Sequence, residues 1–81
     1  GESVALIGLG PIGQLLAKSA KLAGAHVTAL ARNPGKLAMA ERFAGVDATC
    51  SIADGFDVAD IRALSPQGRG FDAVIEAVGL P

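Results

Sequence analysis

The chain has 81 residues and a mass of 8.1 kDa, too few for a two-domain enzyme, because one hydrophobic core typically organises about 100–150 residues. Hydrophobic residues at 51% and charged ones at 19% exclude a disordered tail, and with 27 residues Ala or Gly and no Trp or Tyr, packing must rely on close backbone approach. A formal net charge of −1 offers no basic surface for nucleic acid or an anionic membrane.

Short apolar runs alternate with helical patterns, and Gly or Pro punctuates nearly every junction. Ser3 to Ile7 is a continuous apolar run ending at Gly8, as expected of a strand buried on both faces. From Pro11 a helix is predicted with Ile12, Leu15, Leu16, Ala20 and Ala23 on its inner face and Lys18 and Lys21 opposite; Gly24 stops it. His26 to Arg32 reads as a second strand. Asn33-Pro34 caps and opens a second helix carrying Leu37, Ala40 and Ala44 inward, and Gly45 ends it. Ala48 to Ile52 is a weaker third strand, and Asp57 to Leu64 a short helix capped by Asp57 with Val58, Ile61 and Leu64 inward. After a loop marked by Pro66, Gly68 and Gly70, Phe71 to Val78 reads as the fourth strand and Gly79-Leu80-Pro81 as the turn after it. The order βαβαβαβ implies right-handed crossovers and an α/β fold of the Rossmann type, half of a doubly wound domain with a parallel sheet in order 3-2-1-4. The outer edge of the fourth strand should be open.

Gly8-Leu9-Gly10-Pro11-Ile12-Gly13 matches G-x-G-x-x-G, and its context raises the match above chance. It follows a buried strand, opens a helix, and a second strand ends about 20 residues later, as a dinucleotide-binding βαβ unit requires. Gly8 permits the tight turn, Gly10 lets backbone approach a pyrophosphate, and Gly13 lets the helix lie close on the sheet. The helix N-terminus offers unpaired N–H groups to phosphate, and Pro11 suits its first position. The bland alternative is a Gly-rich turn without a ligand.

The end of the second strand discriminates between dinucleotides. NAD-selective sites place Asp or Glu there, whereas this chain reads Leu30-Ala31-Arg32-Asn33. An acidic side chain at Ala31 would repel a 2′-phosphate; Arg32 offers a guanidinium suited to bidentate phosphate contact, and Lys36 a further charge. NADP is favoured over NAD. The near-neutral total also hides an asymmetry: Lys18 to Arg42 holds five basic side chains against Glu41 alone, and Asp47 to Glu76 six acidic ones against Arg62 and Arg69.

Other residues carry less. His26 reads as an exposed strand-edge histidine without a catalytic partner, and Cys50, the only cysteine, as a small buried residue that permits no internal disulfide or Cys cluster. Glu76, at the carboxyl end of the fourth strand, either braces a loop or lines the cofactor site. Asp54, Asp57 and Asp60 are better explained by capping and solvation than by a metal. No apolar run approaches the roughly 20 residues of a membrane span and no charged leader precedes one, so a cytoplasmic protein is expected. A start at Gly1 and a stop at Pro81 read as an excerpt of a longer polypeptide.

The glycine motif with Ala23-Gly24-Ala25, the Arg32-Asn33-Pro34 step into Lys36-Leu37, and Asp72 through Gly79 together resemble the nucleotide-binding domain of the medium-chain, zinc-type alcohol dehydrogenase family, over essentially the whole chain. The resemblance implies that residues 1–81 are a partial NAD(P)-binding Rossmann domain, with Leu9 to Gly13 at the pyrophosphate. It implies Ala31, Arg32 and Lys36 at the adenosine ribose, with Asn33 beside them, and Val78 and Gly79 near the sheet's carboxyl edge. It further implies hydride transfer between NADP(H) and an alcohol or carbonyl, in a homo-oligomeric parent enzyme. Zinc ligands and proton-relay residues would come from a separate catalytic domain, so this excerpt alone should be inactive. Phe43 to Asp47 is one residue longer than the family's usual helix-to-strand passage. From a different class, a non-catalytic dinucleotide-sensing module fits the same glycine turn; flanking Cys and His-Glu residues at zinc-site spacing would favour the dehydrogenase.

Overall fold

In the computed structural model, which describes residues 2–53, 55 and 57–78 with the side chain of Val58 excepted, every residue of β1 (Ser3–Ile7) is buried. A run without a polar face can be stable only as an inner strand covered on both sides, and β1 lies between β2 (His26–Ala31) and β4 (Ala73–Glu76). With β3 (Ala48–Ser51) outside β2, the sheet is parallel throughout in the predicted order 3-2-1-4. Helices α1 (Pro11–Leu22) and α2 (Pro34–Met39) cover one face over Leu6, Val27 and Ala29. On the other face Ile61 of α3 (Val58–Ala63) packs with Ala5, Ile7 and Leu30. The chain moves outward from β1 to β3 on one face and returns to β4 across the other, which creates a topological switch at the carboxyl end of β1.

The inner face of α1 differs from the prediction. Gly13, Gln14 and Ala17 are buried and Leu16 and Ala20 partly so, whereas Ile12 and Leu15 are 39% and 54% exposed. The cause is the close approach at Gly13, where a Cβ would overlap the Gly8 carbonyl oxygen. A helix held that near the sheet presents its smallest residues inward, and Ile or Leu cannot occupy the contact. Gly24, at φ +90°, ends the helix as expected.

Asn33 caps α2, its Oδ1 accepting from the Gly35 N–H at 2.8 Å, and Leu37, Ala40 and Ala44 are buried as predicted. Beyond Met39 the helix continues as a π segment, Ala40–Ala44, closed by a bond from the Gly45 N–H to the Ala40 carbonyl at 3.0 Å. A π turn holds more residues than an α turn, and beyond it β3 pairs with β2, Thr28 opposite Ala48. Cys50 is half-buried rather than buried, because β3 is an edge strand. Asp57 and Asp60 form a reciprocal cap on α3, at 2.9 and 3.1 Å. Leu64, predicted inward, is the C-cap of α3 and is 40% exposed; the Val58 side chain and Asp54 lie outside the described residues.

Strands β2 and β4 are shorter than predicted, β2 stopping at Ala31 and β4 spanning only Ala73–Glu76. Among the described residues nothing pairs with the outer edge of β4, and the turn Gly79-Leu80-Pro81 lies outside them. Two carboxylates clamp the amino edge of the sheet. Asp72 Oδ2 accepts from the Ser3 N–H at 2.7 Å and the Ser3 hydroxyl at 3.2 Å. Asp47 accepts from the Val27 N–H at 2.7 Å and from Lys21 Nζ at 2.8 Å. No described helix is long and apolar enough to cross a membrane.

Candidate functional site

The carboxyl edge is held by backbone bonds that extend the ladder past the strand ends. The Gly8 N–H donates to the Leu30 carbonyl at 2.9 Å, the Ala77 N–H to Ile7 at 2.7 Å and the Ile52 N–H to Ala31 at 3.0 Å. These bonds fix a crevice of about 460 Å³ over the end of β1. Its floor is Ile7, Gly8, Leu9 and Gly10; one wall is Ala31, Arg32, Asn33, Lys36 and Ile52, and the other Glu76, Ala77 and Val78. This is where open α/β sheets bind ligands.

The glycine turn owes its shape to two separate constraints. Gly8 has φ +93°, which L side chains rarely adopt, and a Cβ on it would lie 2.8 Å from the Val78 backbone nitrogen. Only glycine meets both the dihedral and the approach of the chain after β4. Gly13 has no such dihedral; its requirement is the Gly8 carbonyl beneath it. Gly10 is the N-cap of α1 in an extended conformation (φ −69°, ψ −175°), no side chain caps the helix, and its first turn contains no acid. Pro11 occupies the helix start. The first-turn N–H groups and the positive end of a twelve-residue helix therefore have no side-chain acceptor of their own, the arrangement that suits a phosphate.

Of the residues singled out in the sequence, Gly8, Leu9, Gly10, Ala31, Arg32, Asn33, Lys36 and Val78 line this one crevice. Pro11 and Ile12 stand exposed at the start of α1 outside the lining, Gly13 is buried behind it, and Gly79 lies outside the described residues. Ala31 is 5% exposed and packs with the core cluster beside the crevice, so a carboxylate at that position would have little access to water. Arg32 and Lys36 are exposed, and the one ion pair among the described residues, Lys21 with Asp47, lies at the opposite edge. Glu76, left between two roles, lines the crevice. Ile7, Ile52 and Ala77, which the sequence marks only as strand residues, also line the crevice; for Ile52 the available signal is its place at the end of the third apolar run.

Zinc, which the resemblance implies, finds no ligand set here: no group of three His, Cys, Asp or Glu comes together among the described residues. His26 opens β2 at the amino edge while Cys50 pairs with Leu30 near the carboxyl edge, so the two cannot share an ion. Of the residues that line the crevice, Glu76 is the one carboxylate, and none is His or Cys.

Comparison with known proteins agrees with the geometry. The model of the zinc-binding dehydrogenases matches residues 11–81. The L-threonine 3-dehydrogenase of Bacillus velezensis is 39% identical over 82 residues, an alignment that takes in 100% of this chain but 23% of the relative. The chain thus spans about a quarter of the length of the curated relative it matches. With a parallel 3-2-1-4 sheet, a glycine turn under an uncapped helix, and these matches, the chain belongs to the zinc-binding dehydrogenases, within the medium-chain dehydrogenase/reductase family.

Proposed function

We propose that residues 1–81 are the phosphate-binding half of the dinucleotide domain of a longer cytoplasmic, homo-oligomeric oxidoreductase that moves hydride between NADP(H) and an alcohol or carbonyl substrate. The observation that carries the choice of NADP is the end of β2. Ala31 supplies no carboxylate there, and Arg32 and Lys36 line the same crevice. In this reading the Gly8 to Gly10 backbone and the N-terminus of α1 hold the pyrophosphate. Arg32 pairs with the 2′-phosphate in a bidentate contact and Lys36 adds a point charge. Ile52 offers an apolar surface to the adenine, and Val78 bounds the path toward the nicotinamide.

The chemistry that the bound dinucleotide supplies is hydride transfer at its nicotinamide. The residues of this chain contribute position: they fix one end of the dinucleotide so that its other end meets a substrate held by residues outside this segment. The relative is named for dehydrogenating L-threonine at carbon 3, an alcohol carbon, which supports an alcohol or carbonyl substrate class here. Metal and proton-relay groups belong, in this reading, to the remainder of the polypeptide.

The test is Ala31→Asp in the full-length protein, with dissociation constants for NADPH and NADH measured side by side. A carboxylate at this near-buried position repels a 2′-phosphate and accepts from ribose hydroxyls, so the preference should move toward NADH by at least tenfold, about 1.4 kcal/mol. An unchanged ratio would sink the assignment of Ala31 and Arg32.

A further inference from the structure

Gln14 is a buried amide in the first turns of α1, 5% exposed, and it belongs to neither the glycine motif nor the crevice lining. Its Nε2 donates in two directions, to the Lys36 carbonyl at 3.0 Å and, in a longer and weaker contact, to the Leu9 carbonyl at 3.4 Å. Leu9 belongs to the floor of the crevice and Lys36 to its basic wall, 27 residues later in the chain. One side chain therefore spans from behind the phosphate turn to the first turn of α2.

The same amide is a poor choice for packing alone. Its Oε1 is buried with no hydrogen-bond partner among the described residues, and a buried acceptor left unpaired is costly. Met would fill the same length of space with no polar atom to satisfy. What Met cannot supply is the pair of donors that ties the two carbonyls together. The start of α2 is set locally by the Asn33 cap and by the bond from the Lys36 N–H to the Asn33 carbonyl at 3.1 Å, but these tie Lys36 only to its own helix; the Lys36 side chain is exposed, and the Gln14 amide is what ties this turn across to the phosphate turn.

The geometry points to Gln14 as a positioning residue for cofactor choice: by bridging the Leu9 and Lys36 carbonyls it sets the basic wall at the distance from the phosphate turn that a 2′-phosphorylated dinucleotide requires. This inference rests on the reading of Arg32 and Lys36 as the 2′-phosphate wall. Gln14 touches no part of the ligand and acts through Lys36. Its loss weakens the grip on NADPH while leaving the hydride-transfer end untouched.

The experiment uses the full-length protein with Gln14→Met, Lys36→Met and the double variant, and reads the dissociation constants of NADPH and NADH, the melting temperature, and KM against kcat for NADPH. Gln14→Leu serves as a second apolar replacement should Gln14→Met fail to fold. Gln14→Met should weaken NADPH about 5- to 10-fold, the worth of one or two hydrogen bonds, with NADH changed less than about twofold and kcat at saturation unchanged. In the Lys36→Met background it should add less than about twofold, because residues acting through one contact are not additive. A purely structural amide would lower the melting temperature and both affinities together, with the two substitutions additive; that result overturns the inference. If Lys36→Met weakens NADPH and Gln14→Met does not, the inference fails and the reading of the wall stands. If NADPH binding is indifferent to Lys36→Met and to Arg32→Met alike, the reading of the wall fails and takes the inference with it.

Discussion

Three glycine-to-alanine substitutions separate the two constraints that shape the glycine turn. Gly24 has φ +90°, and a Cβ added there would meet nothing within 4 Å, so Gly24→Ala carries the dihedral penalty alone, about 1–2 kcal/mol. Gly8 has nearly the same dihedral, φ +93°, but its Cβ would sit 2.8 Å from the Val78 nitrogen and 3.0 Å from the Ala77 carbonyl carbon. Both neighbours are backbone and cannot rotate away. Overpacking of this kind adds about 1–3 kcal/mol, so Gly8→Ala should cost about 2–5 kcal/mol. Gly13→Ala has no dihedral penalty and gains about 1 kcal/mol of helix propensity, yet its Cβ overlaps the Gly8 carbonyl, so the net effect should be destabilising rather than stabilising. Urea denaturation of the full-length variants measures all three. NADPH titration should add a second contrast, because Gly8 and Val78 line the crevice and Gly24 ends α1 at the other edge of the sheet. Gly8→Ala should lose affinity and Gly24→Ala should keep it. A cost for Gly8→Ala no greater than that of Gly24→Ala would refute the separation, as would a Gly13→Ala stabilisation of the size an exposed helical glycine gives.

Two further predictions concern the amino edge. The Lys21 ammonium hydrogen-bonded to Asp47 holds its carboxyl below the ordinary value of 3.8, with the Val27 N–H adding to the effect against an opposing push from burial. A depressed folded pKa means that the Asp47 contribution is fully present above the ordinary value and is lost as pH falls through the lowered one. Asp47→Asn, which keeps an acceptor for Val27 but not the charge, should therefore cost about 0.2–1 kcal/mol at pH 7 and less in high salt, with a shallower loss of stability below about pH 4 in acid titration. Asp72→Ala removes the acceptor for the Ser3 N–H and hydroxyl and should cost about 1.5–3 kcal/mol in denaturant, with NADPH affinity unchanged because the clamp lies away from the crevice.

The sheet order was legible because each of its causes is local. A run with no polar face from Ser3 to Ile7, a cap at Asn33-Pro34 and stops at Gly24 and Gly45 leave few topologies to consider. The site's floor and basic wall were legible for the same reason: a glycine turn and the end of the second strand are each named by a few adjacent residues. The inner face of α1 was not. Hydrophobic periodicity places the largest apolar residues inward, whereas the contact of Gly13 with the Gly8 carbonyl turns Gly13, Gln14 and Ala17 inward and leaves Ile12 and Leu15 exposed. Gln14 and Asp72 were missed because their partners, Lys36 and Ser3, are 22 and 69 positions away, and nothing in either neighbourhood signals them.

That this crevice takes a 2′-phosphorylated dinucleotide is tested most directly by titrating the unaltered full-length protein with NADPH and NADH at one ionic strength. NADPH should bind at least tenfold more tightly, about 1.4 kcal/mol. Its advantage should shrink as salt rises, since the discrimination is between charges at exposed side chains. Equal affinities, or tighter binding of NADH, would contradict the assignment.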